Sequence, residues 1–376
     1  DIDEDREELS VLPKQDETAD ETNTTGKVYG YNYNIIHLDC GRKYFSVDSI
    51  KQIIDNASAA GFNYIQLAVG NDGMRFLLDD MSLKIDENTT YSSEAVKAAI
   101  HAGNEAYYNF DVDELTQSEM DEIIAYAYEK KMGVIPLINT PGHMDAILAA
   151  ATSLTDTNCA YYSTTAYKYS ERTIDVKNAT ATGFTKAFLN KYITYFAGKG
   201  CKLFNMGADE YANDTGSPRF SELQNGTGYE KYVEYLNAVA ADITSAGMTP
   251  MAFNDGIYYN NVDKTKIDNS IIIEYWSGGW SDYNVAQPTY LVNNGFNLVN
   301  THGDWYWIVG GKQIDTTKAS QFNYQNFSSK YDYYVNKPDG STFCIWSDVP
   351  GALTDEEVAT NTAPVISAFG GTLPTV

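Results

Sequence analysis

Residues 202–211 read Lys202-Leu203-Phe204-Asn205-Met206-Gly207-Ala208-Asp209-Glu210-Tyr211. A short apolar run stops at two small residues and gives way at once to two adjacent carboxylic acids. Asp-Glu occurs eight times in this acidic chain, and seven of those copies sit in polar or helix-start surroundings that a solvated surface explains. Only Asp209-Glu210 directly follows an apolar strand. In a (β/α)8 barrel the functional residues gather at the C-terminal strand ends. The fold therefore turns on whether this strand has seven partners.

Apolar, β-branched runs recur on both sides of it, at Asn34–Leu38, Tyr64–Val69, Gly133–Ile138, Pro250–Asn254, Ile271–Tyr275, Asn297–Asn300 and Thr342–Trp346. Helix-like stretches lie between them, among them Val47–Ala60, Ser118–Lys131, Thr182–Ala197, Tyr229–Ala246 and Glu356–Phe369. With Lys202–Met206 this makes eight strands in a βα rhythm. The pattern predicts an α/β fold, one (β/α)8 TIM barrel over residues 27–376. A doubly wound sheet would usually have fewer strands and often a Gly-rich first turn. Here the first strand ends in Leu38-Asp39-Cys40-Gly41-Arg42, which is no GxGxxG. Met74–Tyr107 and Ser153–Asp175 exceed simple connections and are expected as insertions on the active-site face. Residues 1–26 hold ten acidic residues and almost no apolar pattern, and read as an acidic linker or extension.

Composition narrows the partners. The chain has 376 residues, 43% of them hydrophobic, with 26 Lys+Arg against 51 Asp+Glu for a net charge of −25. Phosphate neutralisation needs cations in excess, so nucleic acid and anionic membrane surfaces are poor partners. No apolar run reaches the ~18 residues of a membrane span. The opening DIDEDREE is no signal peptide, and the chain reads as a piece of a longer protein. The cysteines Cys40, Cys159, Cys201 and Cys344 lack zinc-site spacing and read as buried thiols.

The strand ends supply the chemistry. They carry Asp39; Asn71 and Asp72; Asn139 with His143 following; Asp209 and Glu210; Phe253, Asn254 and Asp255; Trp276; Asp304, Trp305, Tyr306 and Trp307; and Trp346 with Asp348. All five Trp fall at or just past the last three strand ends. Aromatic faces stack on sugar rings and carboxylates accept from hydroxyls, so an acidic, aromatic mouth suits a neutral glycan. Adjacent acids cannot easily straddle a glycosidic bond. A retaining pair needs ~5–5.5 Å and an inverting pair ~6.5–9.5 Å, normally from different strands. They suit a reaction in which the substrate supplies its own nucleophile.

Residues 28–370 resemble the catalytic domain of a family-20 glycoside hydrolase, the β-N-acetylhexosaminidases, which include cell-wall-anchored exo-β-N-acetylglucosaminidases. The resemblance rests on LDCGRKYFS from Leu38, LAVGNDGMRFLLDDMS from Leu67, INTPGHMDA from Ile138, GADEYAND from Gly207, PMAFNDGIYY from Pro250 and NTHGDWYWIVG from Asn300. It implies that Glu210 is the general acid/base and that Asp209 holds the 2-acetamido N–H. The acetamido oxygen then attacks C1 to give an oxazolinium intermediate, with retention. An ionised Asp209 stabilises the developing positive charge and favours a protonated Glu210.

By the same resemblance Tyr306 fixes the acetamido oxygen, Trp276 and Trp346 wall the pocket with Trp305 near them, and Phe253 stands where many relatives have a third Trp. Asp348 accepts from sugar hydroxyls. His143 and Asn139 support the acids, Asp72 completes a relay to His143, and Asp39 pairs with Arg42 at the rim. The family is expected to place an Arg five residues before Asp39, on the sugar O3 and O4; that position is Asn34. Its loss leaves room for a lacto-N-biosidase releasing Gal-β1,3-GlcNAc as the alternative to release of terminal GlcNAc. A non-catalytic glycan-binding module is the reading of another class. No metal or organic cofactor is called for, and the partner is an oligosaccharide or glycoconjugate met outside the cell, by a secreted or wall-anchored enzyme.

Overall fold

The structure is a computed structural model that describes residues 33–108, 113–216, 226–259, 266–279, 285–311, 313–328 and 333–374. The acidic stretch 1–26 lies outside the described residues. Eight strands form the frame: β1 (Tyr33–Asp39), β2 (Tyr64–Asn71), β3 (Gly133–Thr140), β4 (Leu203–Gly207), β5 (Thr249–Phe253), β6 (Ile272–Tyr275), β7 (Leu298–Asn300) and β8 (Gly340–Trp346). Each pairs in parallel with the next, and β8 returns to β1 in a ladder from Tyr33 opposite Gly340 to Leu38 opposite Ile345. The ring is closed. β2 and β3 are buried at every residue, as strands must be when helices cover one face and a packed interior the other.

The helices are α1 (Val47–Ala59), α2 (Ser93–Tyr107), α3 (Gln117–Glu129), α4 (Asp145–Thr155), α5 (Ala179–Gly198), α6 (Gly226–Ser245), α7 (Pro288–Asn293), α8 (Thr316–Ala319) and α9 (Asp355–Gly370). Helix α1 starts where the Ser46 hydroxyl accepts from Ser49 N, and buries Ile50, Ile53, Ile54 and Ala57, one stripe at 3.6-residue spacing. Thr116 with Glu119 and Thr354 with Glu357 form reciprocal caps that start α3 and α9.

The stretch read as a first insertion, Met74–Tyr107, contains α2 and a two-strand pair, Leu83–Lys84 with Thr90–Tyr91. The second, Ser153–Asp175, is the end of α4 followed by a hairpin, Ala160–Ser163 against Lys168–Ile174. The four cysteines are buried and unpaired. Among the described residues no helix is long and apolar enough to cross a membrane.

Alternate residues of the strands point inward and fill the barrel in layers. The lowest is Ile35, Tyr64, Ile135, Leu203, Met251, Ile272 and Val299. Two residues further along most of these strands the layer turns polar: His37, Gln66, Asn205 and Glu274, with Thr342 beside them, all buried. Glu274 Oε2 accepts from Gln66 Nε2 (2.9 Å) and Asn205 Nδ2 (2.7 Å), and its Oε1 from Thr342 Oγ1 (2.6 Å). Gln66 Nε2 lies 2.8 Å from His37 Nδ1. Burial pushes Glu274 up to about 7 and, with Arg42 adding to it, His37 down to about 3. Above this layer Ala68, Leu137 and Phe253 meet Trp276 and Trp346.

Two outcomes follow from this packing. A Cβ at Gly340 would press on the Tyr33 carbonyl in the closing seam. Gly340→Ala should therefore cost about 1–3 kcal/mol in denaturant unfolding. Glu274 holds its proton better folded than unfolded, so its contribution is present below pH 4.5 and is lost as pH rises through about 7. Glu274→Gln keeps an acceptor for the two amides without that titration. Its unfolding free energy should gain on wild type by roughly 1–3 kcal/mol between pH 5 and pH 8.

Candidate active site

At the C-terminal end of the barrel a cavity of about 180 Å³ is lined by Arg42, Asn71, His143, Asp209, Glu210, Phe253, Trp276, Tyr306, Ile308, Trp346 and Asp348. Its acidic wall is built by β4. The strand ends at Gly207, where φ is +74° and a Cβ would collide with the Asn139 amide, so only glycine fits. Ala208 (φ +67°) and Glu210 (φ +49°) are also left-handed, without glycine's freedom. Strain of this kind costs on the order of 1–3 kcal/mol per residue and persists only where surroundings impose it. Here Tyr232 Oη donates to Ala208 O (2.8 Å) and Asn139 Oδ1 accepts from Ala208 N (3.1 Å).

Both acids meet one imidazole. His143 Nε2 lies 3.2 Å from Glu210 Oε2 and 3.5 Å from Asp209 Oδ2. Asn139 Nδ2 donates to Asp209 Oδ1 (2.7 Å), and Asn213 Nδ2 to Glu210 Oε2 (2.8 Å). Behind, His143 Nδ1 is 2.7 Å from Asp72 Oδ1, Arg42 Nε donates to Asp72 Oδ2 (2.8 Å), and Arg42 Nη1 is 3.3 Å from Asp39 Oδ2. Tyr107 Oη closes the back of this line on Asp72 Oδ2 (3.3 Å).

Burial opposes a charge on His143, but Asp72 and Asp209 outweigh it and hold its pKa well above the ordinary imidazole value. Burial opposes ionisation of Asp72 too, and Arg42 and His143 override it, leaving that carboxyl well below the usual range. Asp209 goes the other way. Burial raises it, His143 draws it down, and the Glu210 charge adds to the rise. The ligand atoms of His143, Asp209 and Glu210 lie within 4.8 Å of one another, a spacing a metal ion could use.

Opposite the acids the wall is aromatic. Tyr306 and Trp346 stand edge to face at 6.0 Å, and Phe253 lies 6.0 Å from Trp346. The Tyr306 hydroxyl and the Trp346 indole N–H are buried and have no hydrogen-bond partner among the described residues, which leaves two polar groups of the wall open to a ligand. At the mouth Arg42 Nη1 and Asp348 Oδ2 face each other at 3.9 Å, a donor and an acceptor for hydroxyls.

Two residues expected on the sugar do not line the cavity. Asn34 is the second residue of β1, and its backbone N–H goes to Asn63 Oδ1. Strands rise about 3.3 Å per residue, so Asn34 lies some ~16 Å below the rim that Asp39 reaches. The absence of an Arg there therefore says nothing about the pocket, whose guanidinium is that of Arg42, past the strand end. Trp305 packs on Phe322 and donates its indole N–H to Lys318 O (3.0 Å). Asn139, Asp72 and Asp39 stand behind the wall, in contact with the residues that form it.

Neither insertion contributes a lining residue. The hairpin instead braces the acid loop: Ser170 Oγ donates to Asp214 Oδ1 (2.7 Å), and Thr173 Oγ1 accepts from Ala212 N (3.0 Å). The sequence pattern put Asn71 and Asp255 at strand ends without giving either a role, and did not single out Ile308 or Asn213; Asn71 is the last residue of β2 and Asp255 lies two residues past β5.

The model of the glycosyl hydrolase family 20 catalytic domain matches residues 31–357. A lacto-N-biosidase of Bifidobacterium bifidum is 25% identical over 303 residues, which is 76% of this chain and 24% of that protein. A β-hexosaminidase of Vibrio vulnificus is 22% identical over 394 residues, 88% of this chain and 45% of its own length. The chain thus spans less than half the length of either curated relative. A solved structure of the tandem catalytic modules of the pneumococcal exo-β-D-N-acetylglucosaminidase StrH shares 41% identity at a TM-score of 0.84, covering 91% of this chain and 83% of that one. With a family match across nearly the whole barrel, the chain belongs to glycosyl hydrolase family 20 and carries its catalytic domain.

Proposed function

We propose that this domain is a retaining glycoside hydrolase that releases terminal β-linked N-acetylglucosamine by substrate-assisted catalysis. The observation that carries the reading is that Asp209 and Glu210 approach the same nitrogen, His143 Nε2, and so work from one flank of the cavity. Two neighbouring acids held on one imidazole suit a reaction in which the substrate supplies the nucleophile better than one in which they face each other across an anomeric carbon. Glu210 protonates the leaving oxygen and later activates water. Asp209 holds the acetamido N–H and balances the charge of the oxazolinium. The unpartnered Tyr306 hydroxyl is the donor suited to the acetamido carbonyl, and Trp276, Trp346 and Phe253 enclose its methyl and the ring.

Release of a single sugar is supported by Arg42 and Asp348, whose charged groups close the mouth where O3 and O4 of a terminal GlcNAc would sit. A lacto-N-biosidase is the second reading, favoured by the 25% identity to the Bifidobacterium enzyme. Its disaccharide would have to pass between those two side chains. We also infer that the enzyme acts outside the cell, on host or mucosal glycans, a reading supported by the resemblance to wall-anchored exo-enzymes.

Glu210→Gln should lower kcat by about 10²–10⁴ on glycosides with poor leaving groups, and by much less on activated aryl glycosides. Asp209→Asn should slow both, because oxazolinium formation precedes departure of either group. Steady-state kinetics on the two substrate types separates these patterns, and cleavage of analogues lacking the acetamido group at the wild-type rate would exclude the mechanism. Lacto-N-triose II and lacto-N-tetraose, offered side by side, decide the released unit by chromatography. GlcNAc from the triose alone is expected; Gal-β1,3-GlcNAc from the tetraose would establish the biosidase instead.

A further inference from the structure

We infer that Asp255, which the reaction scheme does not use, is a positioning residue that ties the catalytic acid to the wall of the acetamide pocket. The inference rests on the reading of Glu210 as proton donor. Asp255 lies two residues beyond the end of β5 and is fully buried. Its Oδ2 accepts from the backbone N–H of Glu210 (2.7 Å) and its Oδ1 from Trp276 Nε1 (2.8 Å). One carboxylate thus joins the rims of three consecutive strands. The neighbouring Asn254 does the same for the backbone, accepting from Trp276 N (2.8 Å) and Ser277 N (3.2 Å) on its Oδ1.

The need for such a tie lies in the strain at β4. Glu210 sits at φ +49° and Ala208 at φ +67°, so the peptides on either side of Asp209 are not held by ordinary backbone preference. The bond from Glu210 N to Asp255 fixes the peptide from which the acid side chain departs. The same carboxylate orients the Trp276 ring, so the acid and the pocket wall move together or not at all.

Asn cannot replace Asp here without loss. Both partners are N–H donors, whereas an amide offers one acceptor and one donor. Burial and the nearby Asp209 push this carboxyl up to about 8, against the pull of the two N–H donors. That an acid stands here among so many other carboxyls is explained by a geometry in which both side-chain oxygens accept from N–H groups, which an amide cannot match.

The test is kinetic. Asp255→Asn should lower kcat on a phenyl N-acetyl-β-glucosaminide about tenfold more than on the 2,4-dinitrophenyl glycoside, since a displaced acid harms only the leaving group that needs its proton. Trp276→Phe gives up the Oδ1 bond and part of the indole face on the cavity, and should raise KM on both substrates by similar factors. Equal losses on the two glycosides for Asp255→Asn, or no loss, would overturn the inference. If Asp255→Asn does not fold by circular dichroism, Asp255→Ser is assayed in its place; if neither folds, Asp255 serves the fold and the inference fails. Wild type and Glu210→Gln run alongside keep the two readings apart. An inert wild type, or a Glu210→Gln variant without leaving-group bias, faults the proposed reaction. The normal pattern in both with no bias in Asp255→Asn faults only the tie.

Discussion

More carboxylates than cations are packed into the C-terminal end of this barrel, and that imbalance governs the rest. Asp39, Asp72, Asp209, Glu210 and Asp255 stand in one hydrogen-bonded chain with Arg42 and His143 inside it and Arg172 near Asp72 to offset them. Water would dilute the repulsion, but most of these groups are buried. Charge out of water is costly, and burial opposes ionisation throughout the cluster. At Asp72 the charges of Arg42 and His143 outweigh it and hold the carboxyl well below the usual range, whereas Asp39, Asp209 and Asp255 are raised above theirs.

The backbone pays for this crowding. Asp72, His143, Ala208, Glu210 and Ala212, all at or beside the cluster, adopt left-handed φ between +49° and +67°. Straight strand ends would splay their acids apart along the rim. The reversals turn them onto one imidazole, and side chains from the neighbouring strands and from the hairpin hold them there. Removing one member of such a set leaves a partner charged, buried and unpaired, a loss that commonly reaches about 3–5 kcal/mol.

Much of this was legible in the chain. All eight strands lie within two residues of the apolar runs that predicted them, because a strand buried on both faces leaves a continuous apolar signature. Asp209 and Glu210 were visible for the same reason, as acids that interrupt such a run. Reach was less visible. Asn34 and Asp39 share a strand, and only the direction of the barrel shows that one lies deep while the other meets the rim. Arg42 reads as a partner for Asp39, which it is, yet its long side chain also reaches the cavity. Trp305 shares a rim segment with Tyr306 but turns outward, because an indole next to Phe322 and the Lys318 carbonyl finds both packing and an acceptor there. The pairing of Asp255 with the ends of the strands on either side of its own depends on how the three rims line up, which no local pattern carries.

The polar layer around Glu274 sets a floor, and that floor divides the pocket into two kinds of territory. Beneath Trp346 and Phe253 the interior is built from strand residues that hydrogen-bond across the barrel axis, so depth there belongs to the ring itself. Changing it means recutting several strands at once. Arg42 and Asp348, in contrast, hang from segments beyond the strand ends. A relative that needs a longer ligand can open that side by editing a loop, while the chamber beneath Trp346 and Phe253 stays as it is. Divergence in this architecture is therefore cheap at the entrance and nearly forbidden at the base.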